Sequence, residues 1–195
     1  TIAREGLIFL DTKNDAVTPL PHVVSYMVVG VSGVKKDTYG TLANLKERAL
    51  ESVRQVKLEF PFFELAHAKI GDIDDLITAV EKDLQPFFRA AIKNHHITQE
   101  AYKAFQAPIY DKALIGQLMN AHHAVLKDLL KITVPRIDDM IAAALKAGAY
   151  GAKIVGSGGG GCIVALVDEI NKESVICALK QAGAVDAFVT WQPSR

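Results

Sequence analysis

Lys153-Ile-Val-Gly156-Ser157-Gly158-Gly159-Gly160-Gly161-Cys162 runs directly into Ile163-Val164-Ala165-Leu166-Val167. Ala152 to Val155 and Cys162 to Val167 both read as strands, short apolar runs rich in β-branched residues. The glycines therefore join strand to strand. A P-loop ends in Gly-Lys-Ser/Thr and opens a helix, and a dinucleotide fingerprint also opens a helix. Here Cys162 and a strand follow, so both motifs are excluded. Two readings of residues 156–161 stand. One is a hairpin turn, for which two or three glycines would suffice. The other is a loop whose backbone approaches a phosphate or another loop closely, with successive N–H groups forming an anion-binding concavity.

Outward from the loop, Pro135 fits a first helical position. Ile137, Met140, Ile141, Ala144 and Leu145 repeat at helical spacing, and Gly148 ends that helix. Beyond the second strand, a helix is expected over 172–182, with Asn171 as N-cap and Gly183 just past its end. Val185 to Trp191 reads as a further strand. The order helix, strand, strand, helix, strand predicts an α+β layer, an antiparallel sheet with helices packed on one face.

Earlier in the chain, Gly6 to Asp11 and His22 to Val31 read as strands, separated by Pro19-Leu20-Pro21. The middle reads as helical. Amphipathic patterns predict helices over Thr38 to Leu58, Asp72 to Lys93 (kinked or divided at Pro86), Thr98 to Ala104, and Asp111 to Lys131.

The chain has 195 residues, half of them apolar, with Lys+Arg and Asp+Glu equal at 22 each. Zero net charge gives no field favouring nucleic acid or an anionic membrane surface. Cys162 and Cys177 cannot build a disulfide framework or a four-cysteine zinc site. No apolar stretch approaches the roughly 20 residues that span a bilayer. A cytoplasmic location is the expectation.

Gly148-Ala-Tyr-Gly-Ala-Lys-Ile-Val-Gly-Ser-Gly-Gly-Gly-Gly-Cys162 resembles the third motif of the GHMP kinases, the family of galactokinase, homoserine kinase, mevalonate kinase and phosphomevalonate kinase. Leu118-Met119-Asn120 with His123 is similar to the helix before that motif. Val134-Pro135-Arg136-Ile137-Asp138 resembles the family's S-x-P-x-(I/L)-D step. Leu7 to Asp11, Pro19-Leu20-Pro21 and the strand ending Ser32-Gly33-Val34-Lys35-Lys36 look like the galactokinase stretch just after the catalytic aspartate. The resemblance implies a ferredoxin-like GHMP kinase C-terminal domain with additional helices, one compact unit over residues 1–195. It also implies that the family's ATP-cradling loop and catalytic aspartate lie before Thr1. ATP and Mg²⁺ would then be bound mainly by that N-terminal portion, which becomes this chain's partner. The isolated chain is expected to be inactive.

Under the same resemblance, Gly156, Ser157, Gly158, Gly159, Gly160 and Gly161 form the phosphate- or substrate-binding floor. No catalytic residue and no metal ligand is assigned. The acceptor is a small molecule carrying a hydroxyl, a sugar in a galactokinase-like reading. Ala43-Asn44-Leu45-Lys46-Glu47-Arg48 stands where galactokinases carry Tyr-Asn-x-Arg-Arg, with Tyr39 one turn away. The Gly-Ser-Gly-Gly-Gly-Gly-Cys form is nearer the mevalonate kinase version. The alternatives are therefore a mevalonate-kinase-like enzyme or a non-catalytic α+β binding module.

Other residues carry less. The pairs His95-His96 and His122-His123 lack metal-ligand spacing. His122 belongs to an apolar stripe, and His123 is a candidate to face the cleft. Asp74-Asp75 and Asp138-Asp139 suit helix starts. Cys162 is expected to be buried and unreactive. Lys153 precedes the loop, where it either reaches phosphate or is solvated.

Overall fold

The structure, a computed structural model, describes residues 7–21, 26–35 and 38–190, with side chains from 42 onward in the last segment. A hairpin opens it, β1 (Ile8–Asp11) against β2 (Ala16–Pro19). The second strand was not expected from sequence. Its signal lies in the turn: the Asp11 carboxylate accepts from the Lys13 N–H and the Asn14 amide, and Asp15 takes a left-handed φ of 53°. Aspartate and asparagine support such turns by bonding to their own backbone.

The main sheet contains β3 (Tyr26–Val31), β4 (Gly151–Ile154), β5 (Cys162–Val167) and β6 (Asp186–Val189), in the order β4-β5-β3-β6. Every neighbouring pair is antiparallel. Residues alternate between its faces. Val28, Ala152, Ile154, Ile163, Ala165 and Val167 turn toward α5 (Pro135–Lys146) and α6 (Lys172–Gln181). There they meet Ile137, Met140, Ile141, Val175 and Leu179. The helices expected on one face of an antiparallel sheet are these two. The sheet's other face is partly covered, with Met27 and Leu166 meeting Ile115, Met119 and Tyr150.

Three helical segments are organised differently from expectation. Thr98 to Ala104 is not a separate helix. It continues α3 (Gln85–Gln106), in whose first turn Pro86 sits. Proline there loses no hydrogen bond, so Pro86 starts a helix rather than kinking one. Upstream, the region from Asp72 breaks into α2 (Ile73–Leu76), flanked by 3₁₀ turns at Ile70–Asp72 and Ile77–Ala79. The Gln85 amide bonds to the carbonyls of Ile77 and Val80 and closes that break. With α1 (Thr38–Glu59), these pieces bury Val56, Ile77, Phe88 and Ile92 in a core of their own.

The helix expected over Asp111 to Lys131 is α-helical only as α4 (Lys112–Ala124), capped by the Asp111 side chain on the Leu114 N–H. It then widens into a π turn over Val125–Leu129. Lys131 follows with φ 54°. Such turns recur at functional sites. Asn171 precedes α6 but makes no side-chain cap; its amide donates to the Gly148 carbonyl instead. Gly148 and Gly183 end their helices with φ of 99° and 94°. Residues 1–6, 22–25 and Trp191, parts of three expected strands, lie outside the described residues, as does the side chain of Tyr39.

Candidate functional site

The glycine run joins β4 to β5 as a hairpin closed by the Val155 N–H on the Cys162 carbonyl at 2.9 Å. It is also docked on both sides. On one side the Gly159 N–H donates to the Ile132 carbonyl at 2.7 Å. A Cβ on Gly158 would lie 2.5 Å from the same oxygen. On the other side the Gly161 N–H donates to the Val34 carbonyl at 3.0 Å, and the Gly161 carbonyl accepts from Ser32 at 2.8 Å. A Cβ on Gly160 would lie 2.7 Å from the Val34 oxygen. Ser32 is buried, and its hydroxyl accepts from the Val34 N–H, which holds that wall in shape.

The glycines are needed for conformation as well as space. Gly156, Gly158, Gly159, Gly160 and Gly161 have φ of 77°, 82°, 70°, 135° and 77°. Side chains other than glycine rarely enter this region. Gly158 and Gly160 are buried, Gly156 is exposed, and Ser157, Gly159 and Gly161 lie between. Nothing stands within 4 Å of a Cβ built on Gly159. Among the described residues, no acceptor is engaged by the N–H groups of Gly156, Ser157, Gly158 or Gly160. The loop is thus a wedged backbone strip with free donors, chemically suited to an anion.

Lys153 does not project from the loop. Its ammonium donates to the Ile154 carbonyl, and the side chain lines a 290 Å³ apolar cavity with His122, Met27 and Val164. Burial lowers its pKa from the ordinary lysine value. Burial, reinforced by the Lys153 charge, pushes His122 down to about 4. His123 is buried, with Nε2 3.5 Å from Asp138 Oδ1, so the expectation that it faces a cleft is corrected. Its pKa is lowered by burial, against the opposing pull of Asp138. Cys162 is half-buried rather than enclosed.

Three further polar connections, two at the end of the β4–β5 hairpin away from the loop and one at the start of α5, have no signal in the sequence. Asn120 bridges α4 to β4, accepting from the Ala152 N–H at 2.9 Å and donating to the Tyr150 carbonyl. Asp168 gathers Lys112 and the Tyr150 hydroxyl, and both hydrogen bonds lower its pKa. Asp138, in the first turn of α5, accepts from Thr133 at 3.3 Å and pairs with Lys127 at 3.2 Å. Each links residues distant along the chain or placed at an element's end, and no local pattern marks such pairs. Among the described residues no three His, Cys, Asp or Glu side chains converge as a metal site, and no helix is long and apolar enough to cross a membrane.

Comparison with known proteins matches residues 101–185 to the family described as GHMP kinases C terminal. A mevalonate kinase of Thermococcus sibiricus is 31% identical over 197 residues, covering 95% of this chain and 58% of that protein. A galactokinase of Pasteurella multocida is 28% identical over 178 residues, covering 88% and 45%. Among solved structures, Lactococcus lactis galactokinase complexed with galactose superposes with a TM-score of 0.77 at 25% identity, over 94% of this chain and 49% of that one. The chain spans about half the length of the relatives it matches. The sheet order, the glycine hairpin and these matches agree: the chain belongs to the GHMP kinase family and corresponds to its C-terminal portion.

Proposed function

We propose that this chain is the substrate-side portion of an ATP-dependent small-molecule kinase that phosphorylates a sugar hydroxyl. The observation that carries the reading is the glycine loop, wedged between Ile132 and Val34 with four N–H groups that engage no acceptor among the described residues. Phosphoryl transfer needs positioning and charge stabilisation more than covalent chemistry from the protein. Oriented backbone donors that need not reorganise supply both. The loop fits phosphate. The described residues offer no cage for Mg²⁺. In this reading the nucleotide and Mg²⁺ are bound mainly by an N-terminal portion, and the loop closes the site from this side.

The sugar reading is supported by the TM-score of 0.77 to the Lactococcus galactokinase. A mevalonate acceptor is the second reading, favoured by the 31% identity to the Thermococcus enzyme. The test is ADP release by the product of the complete gene with galactose, other hexoses and mevalonate as acceptors. Galactose-dependent release is expected. Release with mevalonate alone selects the second reading, and no release with any acceptor leaves a non-catalytic binding module.

A further inference from the structure

Three features meet at residues 131–134. The preceding π turn ends with the Leu130 N–H on the Val125 carbonyl and the Ile132 N–H on the Leu126 carbonyl. Lys131 holds a left-handed φ of 54°, which a residue with a Cβ adopts only where its surroundings impose it. Ile132 then presents its carbonyl to Gly159 and stands against Gly158. A strained connector therefore forms one wall of the glycine loop.

A side-chain group bonded to this connector is the Asp138 carboxylate. One oxygen accepts from the Thr133 hydroxyl, next to Ile132, and forms an ion pair with Lys127 in the π turn at 3.2 Å. The other faces His123 Nε2 of α4 at 3.5 Å. Asp138 thus links the π turn, the connector and the start of α5, and stands beside α4 without a hydrogen bond to it. Its position in the first turn of α5 adds a favourable interaction with the helix dipole. A favourable dipole interaction alone would not require Thr133 and Lys127, partners on two separate segments.

We propose that Asp138 is a positioning residue: through Thr133 and Lys127 it fixes the strained Lys131–Ile132 connector, and so sets the place of the Gly158–Gly159 side of the glycine loop. Its importance for phosphoryl transfer rests on the kinase reading above. Its effect on the loop does not.

The test is amide hydrogen exchange of the 195-residue chain, read by NMR at Gly159 and Gly161. Gly159 is held by the Ile132 wall and Gly161 by the Val34 wall. In Asp138→Ala, Gly159 is expected to exchange about tenfold faster, while Gly161 changes by less than about twofold. Thr133→Val removes one bond to the connector, and the same selective loss is expected; it decides the matter should Asp138→Ala fail to fold. Unchanged Gly159, or Gly159 and Gly161 accelerating together, overturns the inference. Neither result depends on turnover, so failure here is distinct from absence of kinase activity in the complete gene product.

Discussion

The Gly159 N–H donates to the Ile132 carbonyl at 2.7 Å, while a Cβ on the adjacent Gly158 would lie 2.5 Å from that same oxygen. The two glycines therefore differ in what a side chain would meet. Gly158→Ala adds a backbone clash to a φ of 82°, and a loss of about 2–4 kcal/mol in stability is expected. Gly159→Val enters open space at φ 70°, so conformational strain alone, about 1–2 kcal/mol, is expected. In the complete gene product this valine is expected to lower kcat/KM on the order of 100-fold, because it shifts a positioning loop. Thermal midpoint and kinetics measured side by side check both; near-normal kinetics with a strongly lowered midpoint at Gly159 would reduce the loop to a hairpin.

Gly116 of α4 and Gly151 of β4 let helix and strand touch through their backbones. A Cβ on Gly151 would lie 2.1 Å from the Gly116 carbonyl oxygen. Neither backbone can yield as a side chain would. Gly151→Ala is expected to cost at least about 3 kcal/mol, measured by urea unfolding. Asn120→Ala, which strands the Ala152 N–H beside it, is expected to cost about 1–3 kcal/mol.

His122 titrates at about 4 in the fold and near 6.5 when unfolded. Between those values the unfolded chain binds the extra proton, so stability falls as pH drops through that window. His122→Gln is expected to flatten this limb of a thermal-midpoint profile. An unchanged slope would show that the ring is not held neutral.

For Asp168 the folded pKa is depressed by Lys112 and Tyr150. Its stabilisation is present above the unfolded value of about 3.9 and is lost as pH falls through the lower folded value. Asp168→Asn is expected to lower the urea midpoint at pH 7 and to narrow the gap to wild type at the acid end. Equal gaps at both ends would contradict the pairing.

The 195-residue chain alone is expected to turn over no ATP, since the relatives it matches are about twice its length and, in the function proposed above, the glycine loop supplies one wall of the phosphate site. A coupled ADP assay checks this, and turnover above a heat-treated control contradicts it.

Sequence alone determined the elements around the glycine run. Cys162 to Val167 is a strand, Pro135 opens a helix and Gly148 and Gly183 close theirs, because apolar period and backbone conformation are local properties. The α+β layer and the family likeness followed from that order. Other features were decided only by tertiary structure. The fusion of residues 98–104 into α3 and the π turn at Val125–Leu129 depend on packing that periodicity does not register. The docking of the loop needed Ile132 and Val34, which stand 27 and 125 residues away from Gly159 in sequence yet supply the oxygens on either side of the loop. His123 and Lys153 were legible as unusual residues but not in direction: one turned to Asp138 and the other into an apolar cavity, because side-chain orientation on a helix or strand is fixed by what packs against it.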